Sequence, residues 1–321
     1  MQLSNLSIGY TVAKQPKSVI ADINLTLSQG DLVCFMGPNG VGKSTLIRTI
    51  CGAQKSLGGE VLIDGQPLKD ISANNLAQLI SVVLTDKVSG GNMSVRDLVS
   101  LGRYPYINWN LNYSEEDEKQ IDKAIELTHI GPLSDKKLYE LSDGQLQKAM
   151  IARAVCQDTP IMILDEPTAH LDLNNRVEVI NMLSDLAKST NKAILMATHE
   201  LDLALQSADR IWLAGPDQTI LDGFPEDLVL NGKIDEVFGL KGFDLKTGRL
   251  EKKLGKGTVS LNGDGHAYLW TKNALERHGF AVENEAEIQI EIIETEPLQW
   301  KIKKEGELQV NTLEHLLKIL N

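Results

Sequence analysis

The 321-residue sequence has no apolar run close to the length of about 18 residues that a membrane-spanning helix needs. It has only three cysteines, Cys34, Cys51 and Cys156, and their spacing fits no metal site. We expect buried free thiols in a reducing cytoplasm. Residues 1–10 carry neither a basic segment nor a continuous apolar stretch, so we expect no signal peptide.

Basic residues are scarce relative to acidic ones, with 32 Lys and Arg against 44 Asp and Glu. The segment from Lys241 onward is nearly balanced, with 12 basic and 13 acidic residues, which leaves 20 and 31 before it. Such an acidic first part disfavours a nucleic-acid-binding surface, and we expect no nucleic-acid partner. A hydrophobic content of 42% is ordinary for a soluble chain of one large or two smaller domains.

A glycine-rich segment follows the apolar run 32–36, which predicts a buried strand, and precedes residues 46–50, which predict a helix. The segment consists of Gly37, Pro38, Asn39, Gly40, Val41, Gly42, Lys43, Ser44 and Thr45. This order and spacing define a P-loop, in which backbone N–H groups and a helix N-terminus surround phosphate oxygens. Lys43 is expected to reach the β- and γ-phosphates of ATP, and the Ser44 hydroxyl to bind Mg²⁺.

Two further apolar runs end in residues suited to phosphate chemistry. The run 161–164 ends at Asp165 and Glu166, and the run 193–198 ends at His199. Asp165 would hold Mg²⁺ through water, and Glu166 would act as general base on the attacking water. The alternative is a strand that simply ends in two solvated acids, as many do.

The segments at 37–45, 141–145, 161–166 and 193–199, in this order, resemble the motifs of ABC-type ATP-binding domains over about residues 1 to 240. The resemblance implies a P-loop α/β fold with a mixed sheet core, an antiparallel β region and a helical subdomain over about 86–158. It also implies ATP hydrolysis by a homodimer that encloses two ATP molecules head to tail. The antiparallel region fits residues 3–35, where apolar and polar residues alternate.

The resemblance assigns further site residues. Ser142, Gly144 and Gln145 of the signature motif would act in trans on the partner's nucleotide, although Ser142 and Gln145 also form a capping box for a helix over 146–154. His199 would sense the γ-phosphate, and Asp172 would couple the two sites as part of the D-loop, residues 170–172. Tyr10, at the end of the first strand, lies where the family stacks an aromatic ring on adenine.

One position departs from the family pattern. A glutamine that binds Mg²⁺ and water usually follows the strand predicted over 80–84, but this chain has Thr85, Asp86 and Lys87 there. Either the Thr85 hydroxyl or the Asp86 carboxylate could replace the glutamine, or the metal could keep an additional water.

The sequence from 241 to 321 predicts a small accessory α+β domain, with the boundary near 239–248. Strands are predicted over 287–292 and 298–303, a hairpin at 305–307, and a helix over 313–320. Thr271 is predicted to cap a helix ending at Gly279. We interpret Trp270 and Trp300 as core aromatics and His266 as a turn residue. The domain would regulate the ATPase, bind a ligand, or enlarge the dimer interface.

Two classes of ABC protein remain open. The segment 99–106 resembles a Gly-Arg-aromatic-Pro sequence of ATPases that energise iron-siderophore, haem or cobalamin importers, and it favours that class, although a helix end with a proline turn is the alternative. The importer class implies a separate membrane permease dimer, an indirect link to a substrate-binding protein, and a peripheral position on the cytoplasmic face of the membrane. The alternative is a soluble ABC ATPase, such as one for iron–sulfur cluster assembly.

Overall fold

The computed structural model describes residues 1–12, 15–84, 91–107, 112–240, 243–245, 249–250, 254–304 and 306–320. The chain divides into two units, Met1–Gly239 and Leu240–Asn321. Within the described residues, no helix is both long and apolar enough to cross a lipid bilayer.

An antiparallel sheet begins the first unit. Its strands, in spatial order, are β2 (Gln15–Thr26), β1 (Gln2–Val12), β4 (Gly58–Ile63) and β5 (Gln66–Pro67). Leu6 and Ile8 alternate with more exposed residues along β1 and are fully buried, so one face of this sheet joins the core. This matches the antiparallel region predicted over 3–35, except that residues 32–35 belong to a strand of the central sheet that pairs in parallel with its neighbours.

A six-stranded sheet forms the centre of the first unit. Its strands, in spatial order, are β10 (Ile220–Gly223), β9 (Arg210–Ala214), β3 (Leu32–Met36), β8 (Ala193–Ala197), β7 (Ile161–Asp165) and β6 (Ile80–Val83). All neighbours are parallel except β10, which pairs antiparallel with β9. Every residue of β3 and β8 is buried, as expected of parallel strands covered on both faces. Because parallel strands end at one edge, the segments after β3, β7 and β8 converge there.

Helices surround and extend this sheet. They are α1 (Lys43–Ile50), α2 (Ala73–Leu79), α3 (Val95–Ser100), α4 (Glu115–Leu127), α5 (Asp143–Cys156), α6 (Leu173–Thr190), α7 (Leu201–Ser207), α8 (Pro225–Leu230) and α9 (Lys233–Phe238). A 3₁₀ turn, Leu101–Tyr106, follows α3. Helices α3, α4 and α5 pack on one another as a helical group. Capping boxes at Ser94 and Ser114 begin α3 and α4, because each serine and a following aspartate satisfy one another's backbone N–H groups.

The second unit contains a mixed five-stranded sheet. Its strands, in spatial order, are β14 (Phe280–Glu283), β13 (Gly257–Asn262), β15 (Ile288–Ile293), β16 (Gln299–Lys303) and β17 (Glu307–Val310). The helices α10 (Gly265–Arg277) and α11 (Leu313–Leu320) contribute to its core. A separate short ribbon pairs β11 (Phe243–Asp244) with β12 (Arg249–Leu250). Strands β13 and β14, which pair in parallel, had no counterpart in our sequence prediction.

Three predictions about the second unit are wrong. Thr271 does not cap a helix, because α10 begins at Gly265 and Thr271 lies fully buried in its second turn. Trp270 is not a core residue, since 66% of it is exposed. His266 lies in the first turn of α10 and is exposed, rather than in a loop. Trp300 is buried as predicted, and its indole N–H donates to the Thr271 hydroxyl at 2.8 Å.

Replacing Thr271 by Val should destabilise the second unit by about 1–3 kcal/mol, because the buried Trp300 N–H loses its acceptor. Hydrogen exchange across residues 257–320 should therefore become faster in the variant. The matched control is Thr258→Val, since Thr258 is exposed on β13. Equal exchange in the two variants would show that the buried hydrogen bond contributes nothing.

Candidate nucleotide site

The P-loop connects β3 to α1 through glycines in left-handed backbone conformations. Gly42, directly before α1, has φ 116°, and a Cβ there would lie 2.6 Å from Cγ1 of Val19 on β2. Both the conformation and the close contact require glycine at this position. Val19 therefore lies at the site, although nothing in its sequence context indicated this.

Lys43 begins α1 with its ammonium group turned back across the P-loop. The Nζ atom donates to the carbonyl oxygens of Gly37 at 2.8 Å and Pro38 at 3.3 Å. Burial lowers the pKa of Lys43 from its ordinary value, and the carboxylates of Glu166 and Asp165 oppose this effect. A poorly hydrated ammonium group at this position is suited to pairing with phosphate oxygens.

A cavity of about 280 Å³ opens beside the P-loop. Its lining consists of Tyr10, Val19, Asn39, Gly40, Gly42, Lys43, Ser44, Thr45 and Glu166. Tyr10 lies within β1, which continues to Val12, and its hydroxyl is 2.5 Å from the Thr45 hydroxyl. About 44% of Tyr10 is exposed, so its ring is available at the mouth of the cavity.

Asp165, the last residue of β7, lies next to the P-loop. Its carboxylate forms a side-chain hydrogen bond with Ser44. Burial and the neighbouring Glu166 raise the pKa of Asp165, while Ser44, Arg48 and Lys43 act in the opposite direction. The structure therefore places a hydroxyl and a carboxyl group together, which are oxygen ligands of the kind that Mg²⁺ binds in P-loop proteins.

Glu166 and His199 approach one another at the edge of the central sheet. Glu166 has φ 50°, a conformation that is uncommon outside glycine, and its backbone N–H donates to the carbonyl of Ala197 on β8 at 3.0 Å. This bond ties the residue after β7 to the neighbouring strand. His199 follows β8, and its Nδ1 lies 3.7 Å from the Glu166 carboxylate.

The signature segment forms the N-terminus of α5. Ser142 accepts a hydrogen bond from the Gln145 N–H at 3.3 Å, and the Gln145 side chain accepts one from the Ser142 N–H at 3.2 Å, so the predicted capping box is confirmed. Helix α5 is longer than predicted, at Asp143–Cys156. A Cβ on Gly144 would lie 2.6 Å from the Asn175 side chain of α6, so this glycine allows the two helices to approach.

Not every predicted site residue lies at the cavity. Among the described residues, its lining excludes Ser142, Gly144 and Gln145, and it also excludes Asp172, which caps α6 by accepting from the Asn175 N–H at 2.9 Å. Thr85 and Asp86, the predicted replacements for the family's glutamine, lie outside the described residues.

Arg176 and Glu200 also belong to this region, and sequence analysis did not identify them. Arg176 pairs with Glu200 at 2.8 Å, and Glu200 lies 3.5 Å from His199. The only sequence signals are their positions, one turn after Asp172 and directly after His199.

Arg103 of the Gly-Arg-aromatic-Pro segment is a buried structural residue. Its Nε donates to Asp117 of α4 at 2.8 Å, and its Nη1 donates to the carbonyl of Cys156 at the end of α5 at 3.1 Å. The guanidinium group also lies over the Tyr106 ring, 4.0 Å from its centre. Arg103 therefore holds the helical group together, while Tyr104 beside it is 69% exposed.

Asp117→Asn should destabilise the helical group by about 3–5 kcal/mol, because Arg103 keeps a buried charge without its partner. Burial opposes ionisation of Asp117, but hydrogen bonds from Ser114 and Arg103 outweigh it and lower the pKa of Asp117. A carboxylate whose pKa is lower in the folded protein than in the unfolded chain stabilises the fold at pH values above its unfolded-state pKa. This stabilisation is lost as the pH falls through its folded-state pKa. In urea unfolding, the free energy of unfolding of Asp117→Asn should fall short of the wild-type value by the full amount at pH 7. This difference should shrink below about pH 4.

The control for this prediction is Asp122→Asn. Asp122 also pairs with an arginine, Arg96, at 2.6 Å, but it is exposed, so its replacement should change stability little. A deficit in Asp117→Asn that stayed constant from neutral to acidic pH would contradict the proposed ionic origin.

The cysteines match the expectation of buried free thiols, except that one of them is only half-buried. All three are free, and Cys34 and Cys156 are buried while Cys51 is half-buried. Burial raises the pKa of each thiol to about 12, so the reactive thiolate is scarce at neutral pH. None of the three therefore has a chemical role suggested by its surroundings.

Comparison with known proteins agrees with this fold. A family model described as "ABC transporter" matches residues 20–169, and one described as "Iron ABC transporter C-terminal domain" matches residues 256–321. An ABC transporter ATP-binding protein of Methanocaldococcus jannaschii is 36% identical over 79% of this chain and 89% of its own length. The ferric enterobactin transport ATP-binding protein of Escherichia coli is 31% identical over 72% of this chain and 83% of its own length.

Solved structures of ABC transporter proteins also match this chain. A metal-chelate type ABC transporter in an inward-facing conformation matches with a TM-score of 0.64 and 28% identity over 74% of this chain and 88% of that chain. The ATP-binding cassette structure described as a dimer in a post-hydrolysis state with ADP and phosphate matches with a TM-score of 0.56 and 26% identity, over 66% of this chain and 93% of that one.

The fold and the P-loop site thus define an ATP-binding P-loop enzyme. The chain belongs to the family of ABC transporter ATP-binding proteins, and its second unit carries the C-terminal domain found in iron ABC transporters. It is an ABC-type ATPase that converts ATP and water to ADP and phosphate.

Proposed function

We propose that this chain energises uptake of a ferric siderophore, haem or cobalamin-type substrate through a separate membrane permease. The observation that carries the proposal is the match of residues 256–321 to the iron transporter C-terminal domain. The named relatives include a probable siderophore transport ATP-binding protein of Bacillus subtilis, 33% identical over 73% of this chain, which supports the same substrate class. In this proposal, residues 1–240 hydrolyse ATP and residues 241–321 are accessory.

The P-loop amides and Lys43 bind the triphosphate, and Tyr10 offers an aromatic surface to adenine at the mouth of the cavity. The Ser44 hydroxyl and the Asp165 carboxylate would hold Mg²⁺, Asp165 through water, since the two groups are already in contact. Mg²⁺ would neutralise charge on the phosphate oxygens when bound.

Glu166 would act as the general base. Its carboxylate lines the cavity, and its left-handed backbone is held by the bond to Ala197. From there it would accept a proton from the water that attacks the γ-phosphate. His199 lies within 3.7 Å of the same carboxylate and would contact the γ-phosphate, so both residues would act on one reacting centre.

The signature residues are proposed to complete the site of a second copy. Ser142, Gly144 and Gln145 lie outside the lining of the cavity, while the capped N-terminus of α5 supplies N–H groups suited to an anion. A head-to-tail homodimer would bring each α5 terminus to the partner's ATP. ATP would then close the dimer, and loss of the γ-phosphate contact would reopen it.

The permease is proposed to dock on the helical group. Leu101 and Tyr104 of the 3₁₀ turn expose apolar surface there, while Arg103 between them anchors the turn from inside. A rigid turn with exposed aromatic and aliphatic side chains is suited to receiving a helix from a partner protein. The chain would thus lie peripherally on the cytoplasmic face of the membrane, with a substrate-binding protein acting on the other side.

The test is uptake by the source organism after deletion of the gene, measured separately for labelled ferric chelates, haem and cobalamin. Loss of uptake of one class should be restored by the wild-type gene and not by the Glu166→Gln allele. The tagged protein, extracted in mild detergent, should bring a multi-spanning membrane protein with it. Unchanged uptake of all three classes without such a partner would overturn the proposal and favour a soluble ATPase.

A further inference from the structure

The first turn of α6 contacts the D-loop and α5, the helix that begins in the signature segment and is called the signature helix below. Asp172 caps the helix and accepts a second bond, at 2.9 Å, from the Asn175 side-chain amide. That amide lies against Gly144 of the signature segment, where a Cβ would be only 2.6 Å away. The orientation of Asn175 is therefore fixed by the D-loop and by the signature helix together.

Arg176, the next residue, joins the same turn to the loop after β8. Its Nε donates to the carbonyl of Leu171 in the D-loop at 2.7 Å, and its Nη1 donates to Glu200 at 2.8 Å. The planar guanidinium group thus uses donors in two fixed directions, which a lysine ammonium cannot reproduce. Any shift of the D-loop backbone relative to Glu200 must strain or break one of these bonds.

Glu200 in turn contacts His199. The Glu200 carboxylate lies 3.5 Å from Nε2 of His199, whose other ring nitrogen faces Glu166 at 3.7 Å. Half of the His199 side chain is exposed, and its ion-pair contacts within 4 Å among the described residues are with these two carboxylates. The Glu200 backbone is also fixed, because its N–H donates to the Thr198 hydroxyl at 3.0 Å.

We propose that Arg176 is a positioning residue for ATP hydrolysis, which orients His199 through Glu200 and makes that orientation depend on the D-loop. This inference rests on the catalytic arrangement given under the proposed function. The resemblance to ABC ATPases assigns the D-loop to coupling the two sites of the proposed homodimer, so closure of that dimer would displace this segment. That displacement would then pass along a series of contacts to His199, the residue that would meet the γ-phosphate. The contacts run from Leu171 through Arg176 and Glu200.

The experiment compares steady-state ATPase kinetics of Arg176→Met, Glu200→Gln and the double variant in the full-length protein. Each single variant should lower kcat about tenfold and leave the KM for ATP within about twofold of wild type. Since both residues act through one link, the double variant should be no slower than the slower single variant. Arg176→Lys should not restore kcat, because it keeps the charge but not the two directed donors.

The control is Arg210→Met, which likewise removes an arginine–carboxylate bond from the first unit, in this case the 2.9 Å bond to Asp222. It should match the thermal unfolding of Arg176→Met and retain wild-type kcat. If Arg176→Met does not fold, the isosteric Glu200→Gln tests the same link. Wild-type kcat in Glu200→Gln, additive losses in the double variant, or full rescue by Arg176→Lys would overturn the inference. An inactive wild-type chain would instead contradict the catalytic arrangement itself.

Discussion

Glu166→Gln should reduce ATP hydrolysis by roughly 10²–10⁴-fold while leaving ATP binding intact, so that the variant accumulates as an ATP-bound dimer. Glutamine keeps the size of the side chain but cannot accept a proton from water at neutral pH. The P-loop, Lys43 and Asp165 are unchanged by this substitution, and the nucleotide should therefore still bridge two chains.

Size-exclusion chromatography with ATP and Mg²⁺, combined with phosphate release, measures both effects. Glu226→Gln is the control, because Glu226 is an exposed residue at the start of α8. Adding Lys43→Ala to Glu166→Gln should remove the dimer, since binding of the phosphates is then lost. Elution of Glu166→Gln only as a monomer would contradict closure by ATP, and wild-type turnover would contradict the role of Glu166.

The sequence was most informative where a function depends on residues that are adjacent in the chain. The P-loop is a continuous segment between a strand and a helix, and its glycines are needed locally. Glu166 and His199 lie far apart in sequence, but each directly follows an apolar strand. β7 and β8 are parallel neighbours in the structure, so their ends meet. From the sequence, the two residues were grouped by their resemblance to the motifs of ABC-type ATP-binding domains.

Contacts set by the packing of separate elements could not be predicted in this way. Val19 meets Gly42 because β2 crosses the P-loop, and Arg176 meets Glu200 because α6 begins beside the loop after β8. Neither pair has a periodic or motif signal. Arginine and glutamate are common on exposed helix surfaces, so their types alone do not distinguish a site residue from a solvated one.

The errors in α10 have one physical origin. Threonine is both a capping residue and a buried hydrogen-bonding residue, and we assigned Thr271 to the first role. The helix begins six residues earlier, which places Thr271, Ala274 and Leu275 on its buried face at helical spacing. The same register turns Trp270 outward. Fixing the start of the helix would therefore have corrected both residues.

The signature residues lie outside the cavity of their own chain. If they complete the site of a partner chain, as proposed, two variants that are each inactive should restore activity when they are mixed. Lys43→Ala should destroy phosphate binding, and Ser142→Arg should block the N-terminus of α5, and each variant alone should lose nearly all ATPase activity. When the two are mixed, each heterodimer has one complete site, which combines the P-loop of the Ser142→Arg chain with the signature helix of the Lys43→Ala chain. Roughly a quarter of the sites in a random mixture are then intact.

Titrating one inactive variant with the other and measuring phosphate release should therefore restore activity up to an equimolar ratio. Ser94→Arg is the matched control, because Ser94 closes an equivalent capping box on α3 and its loss costs about 0.5–2 kcal/mol of stability without touching the site. That variant should remain active alone. If mixing restores no ATPase activity, either each chain completes its own pocket or the dimer needs both pockets intact to hydrolyse ATP. Either result would exclude the independent composite sites proposed for this ATPase. If Ser142→Arg alone remains active, the N-terminus of α5 does not meet the nucleotide, and dimer closure must act on the permease without the signature helix.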